Sequence, residues 1–247
     1  MIYTRTSREE YDRLEGVNHS TLKLMGKSPA HYKAALDRKS KSTPAMRFGS
    51  IVHGTLLEPL LEHYVERPAG MSFTTKEGKE WKAKQTLPIL SEDEAVDVQR
   101  IFQSVWRHDA AKNLLIKSEH EVSAQEYYQD SGILLKGRLD MLCIQDEWVI
   151  DLKTTDDASD LAFAYSCKKY GYFEQAAFYV DLVRAKKFFF IAVEKEAPYA
   201  VNVFECDTQA IAMGRMIYRE NLRRLKECQE ANDFPAYGNE IRTISLL

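Results

Sequence analysis

The sequence predicts an α/β protein: a mixed central β-sheet flanked by helices, preceded by a mainly helical N-terminal part. Three observations predict it. Strand-like runs are confined to two stretches, 119–154 and 188–204, and helical patterns precede, separate and follow them. The runs 133–144 and 148–154 are separated by only a few polar residues, which reads as a tight hairpin. With 247 residues and 45% hydrophobic content, the chain can bury a sizeable core. We read residues 1–247 as a single domain, with 1–117 mainly helical and 118–247 forming the α/β core.

The elements follow in order. Residues 1–16 are charged and expected to be loosely ordered. Asn18 is placed to cap a helix over 19–26. Ser28 caps a second helix, with Pro29 at its first position, running to about residue 39. Arg38, Lys39 and Lys41 then form a basic connector, either a solvated loop or a DNA contact. Residues 48–64 are helical by pattern, kinked or divided at Pro59. Residues 73–85 carry Lys76, Lys79, Lys82 and Lys84, with Phe73 and Trp81 interleaved. This segment reads as a flexible flap facing nucleic acid, or as a surface loop tethered by Trp81. Ser91 and Glu94 form a capping-box pattern that opens a helix to about 106, and a short helix covers 109–116. Three strands lie within 119–154, then helices over 157–169 and 172–185. Strands 188–193 and 199–204 form a hairpin across 194–198. Asp207 caps a last helix reaching about residue 232. The chain has no internal repeat and no low-complexity segment.

The net charge is −3 and the isoelectric point about 6.1. That excludes a generally basic nucleic-acid coat, so any contact with phosphates requires a local cationic cluster. The four cysteines, Cys143, Cys167, Cys206 and Cys228, contain no C-x-x-C pair. This argues against a zinc ribbon and against a disulfide framework, and points to a reducing cytoplasm. The N-terminus lacks the apolar core of a signal peptide, and no stretch approaches the ~20 apolar residues of a membrane span.

If the hairpin turns at Gln145-Asp146, residue 143 faces 148 and Asp140 lies opposite Asp151. Residues opposite one another, and residues two apart on one strand, share a face. Asp140, Asp151 and Lys153 then converge. Two facing carboxylates repel unless neutralised, and a divalent cation with a nearby lysine would neutralise them. A plain amphipathic hairpin with a solvated polar face is the alternative. In YGYFEQAAFY, Gln175 and Tyr179 are four apart and share a helix face, with Tyr172 one turn earlier. In FGSIVHGTLLE, His53 follows Gly49 by four; it is a packing residue or a metal ligand.

Leu139-Asp140 followed by Asp151-Leu152-Lys153 resembles the signature of the PD-(D/E)XK nuclease superfamily, with leucine in place of the usual proline. The order G-x-x-x-H, Asp, D-X-K, Q-x-x-x-Y resembles its RecB-like branch. The segments VNHSTLKLMGKSPAHYKAAL, TPAMRFGSIVHGTLLEP, DLKTTDDAS and YGYFEQAAFY are similar to RecE-type (exonuclease VIII-like) phage and prophage exonucleases, over about residues 17–179. The resemblance implies a restriction-endonuclease-like core. It implies a magnesium- or manganese-dependent exodeoxyribonuclease that resects linear double-stranded DNA, 5′ to 3′, leaving single-stranded DNA for a single-strand annealing recombinase. It also implies a homo-oligomeric ring acting on DNA ends in the cytoplasm of a bacterial host cell, with no membrane partner.

On the same resemblance, Asp140, Asp151, His53 and the backbone carbonyl of Leu152 would bind the metal, and Lys153 would orient water and stabilise charge. An upstream acid is expected too: Glu121 fits best, with Glu119 and Glu126 as rivals. Gln175 and Tyr179 would brace the site or touch the DNA backbone. Arg138, facing Lys153 in this register, would meet phosphate or merely offset the carboxylates. Lys76, Lys79 and Lys82 complete the expected DNA contacts. Relatives that hold an iron–sulfur cluster have Cys-Pro where this chain has Ser28-Pro29, so no cluster is expected. Other readings are a RecB-like single-strand nuclease, a structure-specific endonuclease, or a non-catalytic nucleic-acid-binding relative.

Overall fold

The computed structural model describes residues 2–37 and 43–243. Among them a six-stranded mixed sheet runs in the order β1-β4-β5-β6-β7-β8. The predicted five strands are β4 (Glu119–Tyr127), β5 (Leu134–Cys143), β6 (Trp148–Thr155), β7 (Lys187–Glu194) and β8 (Val201–Glu205). The sixth is β1 (Ile2–Arg5), which pairs antiparallel with β4. It is followed by α1 (Arg8–Arg13), opened by a capping box in which Ser7 Oγ accepts from Glu10 N and Glu10 accepts from Ser7 N. The expectation of a loosely ordered start is thereby corrected: main-chain pairing at a sheet edge needs no apolar run.

Next come α2 (His19–Leu22), a 3-10 turn (Lys23–Gly26) and α3 (Pro29–Leu36), capped by Asn18 and Ser28 as predicted. The connector residues Arg38, Lys39 and Lys41 lie outside the described residues. Helix α4 (Pro44–Leu57) begins at its Thr43 cap and stops two residues before Pro59, so the proline divides and does not kink. A two-residue strand β2 (Val65–Glu66) pairs in parallel with β3 (Ile89–Leu90) and brackets the lysine-rich segment. That segment is neither a flap nor a loop. It forms α5 (Lys76–Ala83), capped by Thr75, with Phe73 stacked on Trp81 and Lys82 over the Phe73 ring. Helices α6 (Glu92–Arg107), α7 (Asp109–Lys117), α8 (Asp160–Tyr170), α9 (Tyr172–Val183) and α10 (Thr208–Ala231) fall close to the predicted ranges.

The sheet separates two cores. On one face Leu22, Met25, Phe163, Phe178, Tyr218 and Leu222, from α2, the 3-10 turn, α8, α9 and α10, pack on Val122, Leu139, Val149 and Phe190. On the other, Ile51, Leu56, Ile101 and Leu115, from α4, α6 and α7, pack on Met141, Ile150, Leu152 and Ile191. Strand β7 alternates cleanly between them, which is why it reads as a continuous apolar run. Helices α9 and α10 lie close together: a Cβ on Gly214 would stand 1.9 Å from the Phe173 carbonyl oxygen. They are further tied by Asp181 of α9, which accepts from Arg215 (2.6 and 2.8 Å) and from Tyr218 Oη (2.5 Å).

Candidate active site

The site forms where the ladders on both sides of β5 break. Between β4 and β5 the register pairs His120 with Met141 and Val122 with Leu139, and the rung between, Glu121 with Asp140, is missing. Glu121 adopts φ 56°, the left-handed region, inside a strand. Across this break the pleat changes phase. Leu139 and Leu142 pack into one core, and Met141 and Cys143 into the other, whereas regular alternation would put 139 and 141 together. The break re-aims side chains as a β-bulge does.

Between β5 and β6 the hairpin pairs Cys143 with Trp148 and Met141 with Ile150, the predicted register. The ladder ends one rung before Asp140 and Asp151. Asp140 Oδ2 instead accepts from the Leu152 amide at 2.9 Å. The carboxylates are neighbours, yet they do not sit on a formed rung.

Asp151 is buried at 2% exposure. Its Oδ2 is 2.5 Å from Lys153 Nζ, and its Oδ1 accepts from Gln175 Nε2 at 2.7 Å. Lys153 Nζ also donates to Gln175 Oε1 at 3.1 Å, closing a triangle, and lies 4.6 Å from the Tyr172 ring centre. Burial, aided by the charge on Asp140 and opposed by Lys153, pushes the Asp151 carboxyl up to about 6. Burial alone would lower the Lys153 ammonium, but Asp151 and Asp140 outweigh it and raise it above its usual value.

His53 is brought in by α4. Gly49, one turn earlier, permits the approach: a Cβ there would stand 3.3 Å from Thr154 Oγ1 of β6. His53 Nδ1 is 3.4 Å from Asp140 Oδ2. Burial alone would raise Asp140, but His53, Lys153 and the Leu152 amide outweigh it and hold the carboxyl below its usual value. Burial would lower His53, and Asp140 outweighs it, so the imidazole is raised. His53 therefore faces the carboxylates and not the core.

Of the three glutamates, Glu121 reaches the site. It forms an ion pair with Arg138 at 2.7 Å, and burial together with Asp140 pushes it up to about 7. Glu119 is exposed, and Glu126 lies 3.9 Å from Arg184 instead. Arg138 offsets Glu121 and also lines the cleft. Tyr179 Oη donates to the Arg138 carbonyl at 3.3 Å and so braces β5. Gln175 braces Asp151 and Lys153. Lys76, Lys79 and Lys82 are not among the cleft-lining residues.

Of these groups His53, Glu121, Arg138, Asp140 and Lys153 line an open cleft of about 1860 Å³. Sequence reasoning missed several of its wall residues. Glu58, Glu62 and His63 follow α4, and Lys195 pairs with Asp156 at 2.5 Å. Leu161, Tyr165 and Tyr170 come from α8. The α8 residues had a signal: Leu161 and Tyr165 are four apart, on the side opposite Phe163 and Cys167.

Among the described residues, no three His, Cys, Asp or Glu side chains are spaced as a ready-made metal cage. The donor chemistry nevertheless fits a hard divalent cation. Asp140, Asp151 and Glu121 offer carboxylate oxygens beside one imidazole, and the buried Asp151 Oδ2 has Lys153 as its counter-charge.

No curated protein matches the sequence. A solved structure of a Eubacterium rectale protein named as a candidate exonuclease superposes with a TM-score of 0.71, at 14% identity over 99% of this chain and 97% of that one. A phage-related exonuclease from Haemophilus somnus 129PT gives 0.40 at 12% identity, over 86% and 95% of the two chains. LHK-Exo in complex with dAMP gives 0.42 at 15%, over 91% and 98%. The first shows a shared fold. Residues 18–246 match the family described as PDDEXK-like domain of unknown function (DUF3799), and with the signature residues gathered at one broken seam of the sheet, the chain belongs to that family.

Proposed function

We propose that the protein is a divalent-metal-dependent exodeoxyribonuclease of the RecE type, resecting linear double-stranded DNA 5′ to 3′ to leave a single strand for annealing. The observation that carries the reading is the convergence of Asp140, Lys153, Glu121 and His53 on one open cleft, with Asp151 buried against Lys153. Phosphodiester hydrolysis needs a positioned water, stabilisation of charge growing on the phosphate, and help for the leaving oxygen. A magnesium or manganese ion held by Asp140, Asp151 and His53, with the Leu152 carbonyl, would supply Lewis-acid stabilisation and an acidified water. The chain supplies the rest. Lys153 stays protonated at neutral pH because two carboxylates face it, so its role is to hold phosphate and water and to stabilise charge. It need not be a general base. Gln175 fixes the Asp151–Lys153 pair, and Tyr179 fixes the strand carrying Asp140.

Digestion of linear duplex labelled separately at each end, with and without chelator, tests the reading. Metal-dependent release from the 5′ end is expected. Full activity in chelator would sink the metal mechanism, and release only from the 3′ end would sink the polarity.

A further inference from the structure

Helix α8 presents apolar side chains on two sides. Phe163 and Cys167 are buried beneath it, with Phe163 stacked 4.8 Å from Phe204. The opposite stripe, Leu161 and Tyr165, is exposed at 85% and 67%, and Lys169 continues it one turn on. Tyr170, at the helix end, is half exposed. Leu161, Tyr165 and Tyr170 all line the cleft that holds Lys153. Contacts run unbroken from this wall to the floor: Lys169 Nζ is 5.2 Å from the Tyr170 ring, Tyr170 is 5.7 Å from Tyr172, and Tyr172 is 4.6 Å from Lys153 Nζ.

Lone exposed apolar residues are ordinary. A stripe of them on the wall of a charged cleft, ending in two aromatic rings with an ammonium group on either side, has a more specific chemistry. Flat faces take bases and ammonium groups take phosphates. The cleft also carries Glu58 and Glu62, and its Lys195 is already held by Asp156. A base buried in duplex has no free face to offer, so the occupant that fits is unpaired. We infer that the α8 wall, through Tyr165, Tyr170 and Leu161, is a stacking platform for unpaired nucleotides of the strand whose phosphate is delivered to Lys153. This rests on the nuclease reading and adds the form in which the strand enters.

The test compares binding of two oligomers of equal length and charge, oligothymidylate and an abasic phosphodiester, by fluorescence anisotropy with calcium present. The full-length wild-type protein should prefer the oligothymidylate by about tenfold, the scale of one base–aromatic stack. The preference should persist as salt is raised, because stacking is not screened. Tyr165→Ala with Tyr170→Ala should erase it, and Tyr165→Phe with Tyr170→Phe should keep it. Equal binding of the two oligomers by wild type would overturn the platform. So would an alanine variant that still discriminates, or one whose only change is its oligomeric mass, since the stripe would then be a contact between copies of this chain. Hydrolysis of linear duplex by wild type with manganese is read separately. Its failure would sink the nuclease reading and leave the binding comparison standing.

Discussion

Asp140 and Asp151 are neighbours of like charge, and the fold treats them oppositely. The Asp151 carboxyl is raised from 3.8 to about 6. Its contribution to stability is therefore present below pH 3.8 and lost as pH rises through about 6. Asp140 is lowered, so its contribution is present above its ordinary value and lost only as pH falls through the depressed one. At pH 7 in chelator, Asp151→Asn should raise the melting temperature and Asp140→Asn should lower it. Two shifts of the same sign in thermal melts would refute this electrostatic picture. Both variants, and Lys153→Met, should lose cleavage by about 10²–10³-fold or more, the cost of removing one preorganised stabilising group. The pairing of Asp140 with the D-X-K was legible in the sequence because a short turn fixes hairpin register. The choice of Glu121 over Glu119 and Glu126 was not. It depends on one residue taking φ 56° and inverting the pleat, which strand periodicity cannot foresee.

At the scale of elements, the helices whose caps and apolar stripes agree were legible to within a few residues, α6 and α10 among them. The lysine-rich α5 was not, because a polar segment with aromatic residues reads equally as a loop until its Thr75 cap and Phe73–Trp81 stack are placed. Strand β1 escaped because its four residues, IYTR, are too short a run to carry a pattern. The joint between α9 and α10 makes two predictions. Gly214→Ala forces a Cβ onto the Phe173 carbonyl and should cost about 1–3 kcal/mol, the usual penalty of overpacking, measurable by urea denaturation. Asp181 holds Arg215 and Tyr218; burial would raise its carboxyl, but these partners outweigh it and hold it below 3.8. Asp181→Asn should therefore cost about 1–3 kcal/mol at neutral pH. The cost should shrink as pH falls through the depressed pKa, where the wild-type carboxyl is protonated too. A pH-independent difference would show that packing, not charge, makes the joint.

For the whole molecule, a net charge of −3 provides little long-range attraction for DNA, so binding must depend on local cations. Lys76 is exposed and pairs only at 4.0 Å with Glu80, and it shares α5 with Lys79 and Lys82. If this helix borders the DNA path, replacing the three lysines should flatten the salt dependence of duplex binding by about 0.9 log–log units for each phosphate that is no longer neutralised. An unchanged slope would remove α5 from the interface. On the proposed end-dependent reaction, linear duplex should be consumed and covalently closed circles spared. Cutting of intact circles would favour an endonuclease.

The site is also built from parts that fold on different terms. Its carboxylates ride on the meander β4–β5–β6, joined by short links, whereas His53 arrives on α4 from far earlier in the chain. Contacts close in sequence form at little entropic cost, and distant ones form later and open first. Hydrogen exchange should therefore show the α4 amides opening ahead of those of β5 and β6, with a bound divalent ion slowing α4 most. A ligand that touches both parts would then act as a latch, closing the helix against the meander each time it binds and freeing it each time it leaves.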